Sequence, residues 1–149
     1  MKKLILATGI SLFLAMGSAF AADTPTSQKG ATVVTAAQVK KLDDHGTLIV
    51  DARVPLEYAE GHIPHAVSEP YFEHSGHTVH FDVRKDHFNL NKLPKSKSTP
   101  VVIYCNGPEC WKSFKEVTAA VKAGYTHIYW FRGGLPAWKA AGYKVATLD

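Results

Sequence analysis

Apolar residues fall along this chain in short blocks, and two periodicities alternate through them. Thr47-Leu48-Ile49-Val50 and Val101-Val102-Ile103-Tyr104 are unbroken runs rich in β-branched residues, of the kind that fill strands buried on both faces. Ala66-Val67 and Ile128-Tyr129-Trp130-Phe131 supply two more short strands. Between these blocks the spacing becomes helical. Thr35-Ala36-Ala37-Gln38 has capping-box spacing, with Val39 and Leu42 continuing a short helix that stops by Gly46. Pro55 to Glu60 predicts a helix with proline in its first turn, closed by Gly61. Phe114, Val117, Ala120 and Val121 form one apolar stripe that runs from about Trp111 to Gly124, and Leu135 to Ala141 makes a closing helix. Alternating strands and helices predict a single α/β domain: a central parallel sheet of about five strands, helices on both faces, right-handed crossovers.

The ends and one long connection stand outside this alternation. Residues 1–21 combine Lys2 and Lys3, an apolar stretch from Leu4 to Phe13, and the small-x-small pattern Ala19-Phe20-Ala21, which together predict a secretory signal peptide. A membrane span would need about 20 apolar residues and no cleavage pattern, so the expectation is a periplasmic or secreted protein with no membrane attachment after cleavage. Residues 22–34, polar and small at their start, are expected to be a flexible lead-in to a domain at 35–149. Between Val67 and Pro100 lie His74, His77, His80 and His87. No cysteine pair flanks them, and extended alternation would scatter them over different faces, so a solvated loop without metal is expected.

Formal charge is +4 and falls by two when Lys2 and Lys3 leave with the signal. So mild a balance, with no clustered basic stripe, gives no support to nucleic-acid binding and suits small anions better. Both cysteines remain, in a compartment where disulfides persist.

The chemistry gathers at the third of these strands. Cys105 ends the strand, Gly107-Pro108 turns the chain, and a helix begins near Trp111. Ligands bind beyond the carboxyl ends of parallel strands, where loop amides and a helix N-terminus face inward. A cysteine there has its pKa lowered and its thiolate favoured. Arg132-Gly133-Gly134 lies on the same rim if the strands are parallel.

Asp51-x-Arg53-x-x-x-Glu57-Tyr58-x-x-Gly61-His62-Ile63-Pro64-x-Ala66 resembles the N-terminal signature of the rhodanese homology domain, the sulfurtransferase family, with His65 where glycine is common. Gly133-Gly134-Leu135-Pro136-Ala137-Trp138 resembles its C-terminal signature, and Cys105 lies where its catalytic cysteine lies. The resemblance implies a sulfurtransferase that forms a persulfide on Cys105 and passes the sulfur on. Its partners would be a small sulfur-containing anion and a thiol or cyanide acceptor, with no cofactor. It also implies that Asp51, Arg53, Glu57 and His62 mostly hold the scaffold together. Asn106, Gly107, Pro108, Glu109, Cys110, Trp111, Lys112 and Arg132 are the expected substrate-binding residues.

The loop is longer than the family's usual form. Cys110 stands at the count of the customary arginine, and Lys112-Ser113, two places later, resembles the basic-hydroxyl pair. The fork of an arginine is replaced by the point charge of a lysine, and Glu109 adds a negative charge nearby. A thiol-disulfide protein using Cys105 and Cys110, or a non-catalytic binding module, are the alternatives. A cysteine phosphatase would want an arginine, and none lies between Cys105 and Ser113. The Gly107-Pro108 turn can bring the two cysteines together into a reversible disulfide if their Cα atoms come within roughly 4.4–6.8 Å; the alternative, that Cys110 packs beneath Trp111 as a free thiol, stays open.

Overall fold

A computed structural model describes residues 22–148, so the signal-peptide reading of residues 1–21 lies outside the described residues. Five strands, β1 (Ala31–Val33), β2 (Leu48–Asp51), β3 (Val67–Ser68), β4 (Val101–Tyr104) and β5 (Ile128–Phe131), form one sheet in the order β1-β5-β4-β2-β3. Every pairing is parallel. The helices are α1 (Ala36–Asp44), α2 (Pro55–Glu60), α3 (Trp111–Lys122) and α4 (Gly134–Ala140).

Strand alternation sorts the core into two layers. Ile49, Val102, Tyr104 and Phe131 point to one face, where Ala36 and Val39 of α1 and Leu135 and Trp138 of α4 cover them. Val50, Val101, Ile103, Ile128 and Trp130 point to the other, beneath Phe114, Val117 and Ala120 of α3. Because β4 is central and buried at all four positions, its carboxyl end opens between the layers, at the middle of the sheet's rim.

The predicted local signals form real structure. Thr35 and Gln38 make both halves of the capping box of α1, and Pro55 opens α2. His65 sits in the left-handed region at φ 66°, which explains why glycine suits this position, and its Nδ1 lies 3.1 Å from Asp43 Oδ1. Among the described residues no helix is long and apolar enough to cross a membrane.

Residues 22–34 differ from the expected lead-in. Ala31–Val33 pair with β5, and Val34 is buried. Ahead of them, Thr24 donates to the Pro108 carbonyl through both its backbone N–H (2.8 Å) and its hydroxyl (2.7 Å). A polar composition suits this segment because its partners are main-chain and guanidinium groups, not apolar surface. The segment is a strap across the rim that carries Cys105.

Candidate active site

Cys105 leaves β4 and is 1% exposed, against Ala52 and Tyr71. The chain then turns at Gly107, whose φ of +115° only glycine adopts readily, and Cys110 N–H donates to the Gly107 carbonyl at 3.0 Å. This closes the loop, and Cys105 and Cys110 are joined by a disulfide with their Cα atoms 6.3 Å apart. Of the two alternatives the sequence leaves open for Cys110, the structure has the disulfide.

Cys110 is also the N-cap of α3, where it makes no side-chain capping bond. The first amides of a 12-residue helix are thus left free of a side-chain cap beside the sulfur pair. The amides of Asn106, Gly107 and Glu109 likewise make no hydrogen bond among the described residues. Ser113, one turn into α3, places its Oγ 3.3 Å from Cys105 Sγ. Trp130 Nε1–H donates to that same oxygen at 3.0 Å, which leaves the Ser113 hydroxyl proton free to point at the sulfur.

The C-terminal glycines fix the loop from below. Leu135 N–H donates to the Cys105 carbonyl at 3.0 Å. Gly134 has φ +58°, and a Cβ there would overlap the Cys105 carbonyl oxygen and come 2.6 Å from Gly107 N. Asn106 is anchored from the side, donating through Nδ2 to Glu57 Oε1 at 2.6 Å.

The N-terminal signature residues build the wall under this loop. Arg53 donates to both Asp51 oxygens, at 2.9 and 2.6 Å, and to the Gly61 carbonyl at 2.5 Å. Burial opposes the guanidinium's charge, but the hydrogen bond and field of Asp51 outweigh it and raise its pKa. Tyr104 donates to Asp51 and accepts from Ile63 N–H at 3.1 Å. Burial, with Asp51 beside it, pushes the Tyr104 phenol well above its ordinary range. His62 Nδ1 lies 2.8 Å from the Tyr58 carbonyl, and its ring stacks on Tyr58.

The expected binding residues separate into two groups. Asn106, Glu109, Cys110 and Lys112 line one cavity of about 270 Å³ together with Glu73, which comes from the histidine-containing loop. Lys112 Nζ is 3.9 Å from Glu73 Oε1, so its charge is partly balanced before any anion arrives. Trp111 is buried, donating through Nε1 to the Ala22 carbonyl at 2.9 Å and stacking against His77. Pro108 offers its carbonyl to Thr24, as above. Arg132 differs from expectation: its guanidinium donates to Thr24 Oγ1 (3.1 Å), the Pro25 carbonyl (2.9 Å) and the Thr24 carbonyl (2.7 Å), with Asp23 at 3.6 Å. It holds the strap and does not face the cavity's lining. Among the described residues no three histidine, cysteine, aspartate or glutamate side chains converge as a metal site would require.

Ser113 and Glu73 enter the site beyond the expected binding set. Ser113 was visible only as half of the basic-hydroxyl pair. Glu73 had no sequence signal, because it reaches the rim from a loop that must first fold over α3.

Residues 35–141 match the family described as the rhodanese-like domain, and the chain belongs to that family. A sulfurtransferase from Allochromatium vinosum is 29% identical over 105 residues, which cover 70% of this chain and 83% of its own. Solved structures share the fold, and two of them are named for sulfur transfer. The thiosulfate sulfurtransferase from Pseudomonas aeruginosa is 22% identical with a TM-score of 0.60, over 80% of this chain and 21% of that one. The polysulfide-sulfur transferase homodimer from Wolinella succinogenes is 15% identical with a TM-score of 0.56, over 80% and 81%.

Proposed function

We propose that this chain is a periplasmic or secreted sulfurtransferase that carries sulfur as a persulfide on Cys105. One observation carries the proposal: Cys105 ends the central strand against the uncapped N-terminus of α3, with Ser113 Oγ 3.3 Å from its sulfur. In the reduced loop, the helix terminus and the Ser113 hydroxyl both favour thiolate over thiol. The thiolate attacks the outer sulfur of a donor such as thiosulfate. The donor's S–S bond breaks with its electron pair leaving on sulfite, and Cys105 keeps one added sulfur. A thiol or cyanide acceptor then attacks that terminal sulfur and returns the Cys105 thiolate. Free amides at Asn106, Gly107, Glu109 and the first turn of α3 supply donors for the anionic donor's oxygens or the persulfide's terminal sulfur. Glu73 and Glu109 on the cavity wall oppose a doubly charged anion, while Lys112 attracts it, so a singly charged alkyl persulfide donor suits the site at least as well.

Cys105→Ser is expected to abolish transfer and to leave the fold intact, because an alcohol is not appreciably ionised at neutral pH. The check is intact-protein mass spectrometry of Cys110→Ser, in which Cys105 is the remaining cysteine, after reduction and treatment with thiosulfate or polysulfide. A gain of one sulfur atom, located on Cys105 by peptide mapping, supports the proposal, and turnover retained by Cys105→Ser overturns it.

A further inference from the structure

We infer that Cys110 is a resolving nucleophile, which attacks the Cys105 persulfide and releases its sulfur as sulfide. The inference rests on Cys105 accepting sulfur as proposed above. It extends that reading from transfer of sulfane sulfur to its reduction.

The geometry for this step is already assembled. Cys105 and Cys110 lie five residues apart in one loop, their sulfurs are bonded, and their Cα atoms are 6.3 Å apart, inside the roughly 4.4–6.8 Å that a disulfide spans. Three independent contacts hold the loop in the shape that joins them. Cys110 N–H bonds the Gly107 carbonyl within the loop, Leu135 N–H holds the Cys105 carbonyl from α4, and Thr24 clamps the Pro108 carbonyl from the strap. The second sulfur thus needs no large rearrangement to reach the first.

The chemistry balances as an intramolecular thiol exchange. In the persulfide, Cys105 Sγ is the inner sulfur, and it is the atom to which Cys110 Sγ is bonded in this structure. Cys110 thiolate attacks Cys105 Sγ, the bond to the outer sulfur breaks, and the electron pair leaves on hydrosulfide. The product is the Cys105–Cys110 disulfide, and the sulfane sulfur has been reduced to sulfide by two electrons from the two thiols. Glu73 and Glu109, whose side chains border the same cavity as Cys110, repel an anion formed there and favour its departure.

Return of the enzyme to its starting state requires a dithiol reductant, which supplies two electrons and two protons. The burial of the two sulfurs gives this step a direction. Cys105 is almost fully buried, whereas Cys110 is half-buried at the cavity wall. An incoming dithiol therefore meets Cys110 Sγ first and expels Cys105 as the leaving thiolate, the one that α3 and Ser113 stabilise.

The test uses the chain from residue 22 onward, pre-reduced, freed of reductant and mixed with one equivalent of thiosulfate or inorganic tetrasulfide, whose leaving groups on loading Cys105 are sulfite and trisulfide rather than sulfide. Wild type is expected to release about one sulfide per chain and lose both free thiols, leaving a protein lighter by the two hydrogens given up. Cys110→Ser is expected to become heavier by one sulfur, to hold it, and to release sulfide only at the rate of a protein-free blank. With donor in excess, adding dithiothreitol should convert the single wild-type burst into steady sulfide production. Sulfide released by Cys110→Ser as fast as by wild type, without added thiol, overturns the role of Cys110. A wild type that accumulates a lasting persulfide and releases nothing overturns it as well. If instead neither protein acquires sulfur from either donor, the sulfur-accepting reading of Cys105 is what fails, and the inference falls with it.

Discussion

Gly134 is the residue on which the geometry of the loop depends most sharply. Its φ of +58° and its position against the Cys105 carbonyl and Gly107 N leave no volume for a side chain. Gly134→Ala forces backbone apart from backbone, which cannot yield as a flexible side chain can. Overpacking costs about 1–3 kcal/mol and the left-handed conformation about 1 more, so a loss of roughly 3 kcal/mol is expected. The same displacement moves Cys105, so sulfur loading should fall further than stability explains. Urea unfolding together with mass-resolved persulfide formation checks both, and a variant with wild-type stability and loading contradicts the role given to Gly134. At this scale the sequence was informative where a residue acts through its own backbone. The Gly133-Gly134 pair and the cysteine at a strand's end are legible because glycine and cysteine each imply a local conformation or chemistry. Arg132 was not legible in the same way, since a guanidinium on the correct rim can turn toward a ligand or toward carbonyls of another segment, and only the fold decides which.

Among the elements, the histidine-containing loop after β3 has a larger part than its composition suggests. It is closed on itself by Asp86, a buried carboxylate that accepts from Tyr71 Oη–H (2.7 Å), Ser75 Oγ–H (2.6 Å) and the backbone N–H groups of His74 and Ser75 (both 2.7 Å). Lys115, fully buried in the middle of α3, donates to Glu73 Oε2 at 2.8 Å and to the Ser75 carbonyl at 3.1 Å. Through these bonds Glu73 is delivered to the cavity beside Cys110. No periodicity announces such an arrangement: Lys115 and Glu116 read as a polar helix face, yet both are buried, Lys115 beneath the loop it binds. Glu116 is the residue of this face left without a hydrogen-bond partner among the described buried side chains, and burial pushes its pKa well up. Burial alone would also raise the pKa of Asp86, but the hydrogen bonds from Ser75, Tyr71 and His74 outweigh it and lower the value from 3.8 to about 2. A carboxyl whose folded pKa lies below its unfolded one contributes stability that is present above the unfolded value and lost as pH falls toward the folded one. Asp86 therefore contributes about 2 kcal/mol at neutral pH, and that contribution disappears between about pH 4 and about pH 2. Asp86→Asn should be less stable than wild type at neutral pH, and the gap should close across that acidic window. Unfolding curves of the two proteins as a function of pH make the comparison, and a gap that stays constant down to the acid limit refutes the assignment.

Across the whole molecule, the N-terminal strap joins one edge of the sheet to the middle of its rim, over the site. Three-residue β1 extends the sheet beyond β5, and the residues before it cross back to the Cys105 loop. The sheet's interior strands announce themselves because each is apolar on both faces. β1 does not, since Thr32 and Val33 are exposed and its pairing partner lies far along the chain. Arg132, at the carboxyl end of β5, is the group that binds this strap, through three hydrogen bonds to Thr24 and Pro25. Thr24 in turn holds the Pro108 carbonyl, so Arg132 positions the cysteine loop through an intermediary and touches neither sulfur. Arg132→Ala removes a charged donor from carbonyls that are partly buried, and about 2 kcal/mol of stability should go with it. A greater change is expected locally. With the strap released, Pro108 loses both bonds from Thr24, and amide hydrogen exchange should accelerate at Thr24 and at the loop amides while the amides of β4 remain protected. The Cys105–Cys110 disulfide should then be reduced faster by a given dithiol, because Cys110 is less covered. A direct substrate role for Arg132 makes a different prediction: weaker use of anionic donors with exchange at Thr24 unchanged. Hydrogen exchange on Arg132→Ala, measured beside its donor dependence, separates the two, and protection of Thr24 equal to wild type would reject the strap's dependence on this arginine.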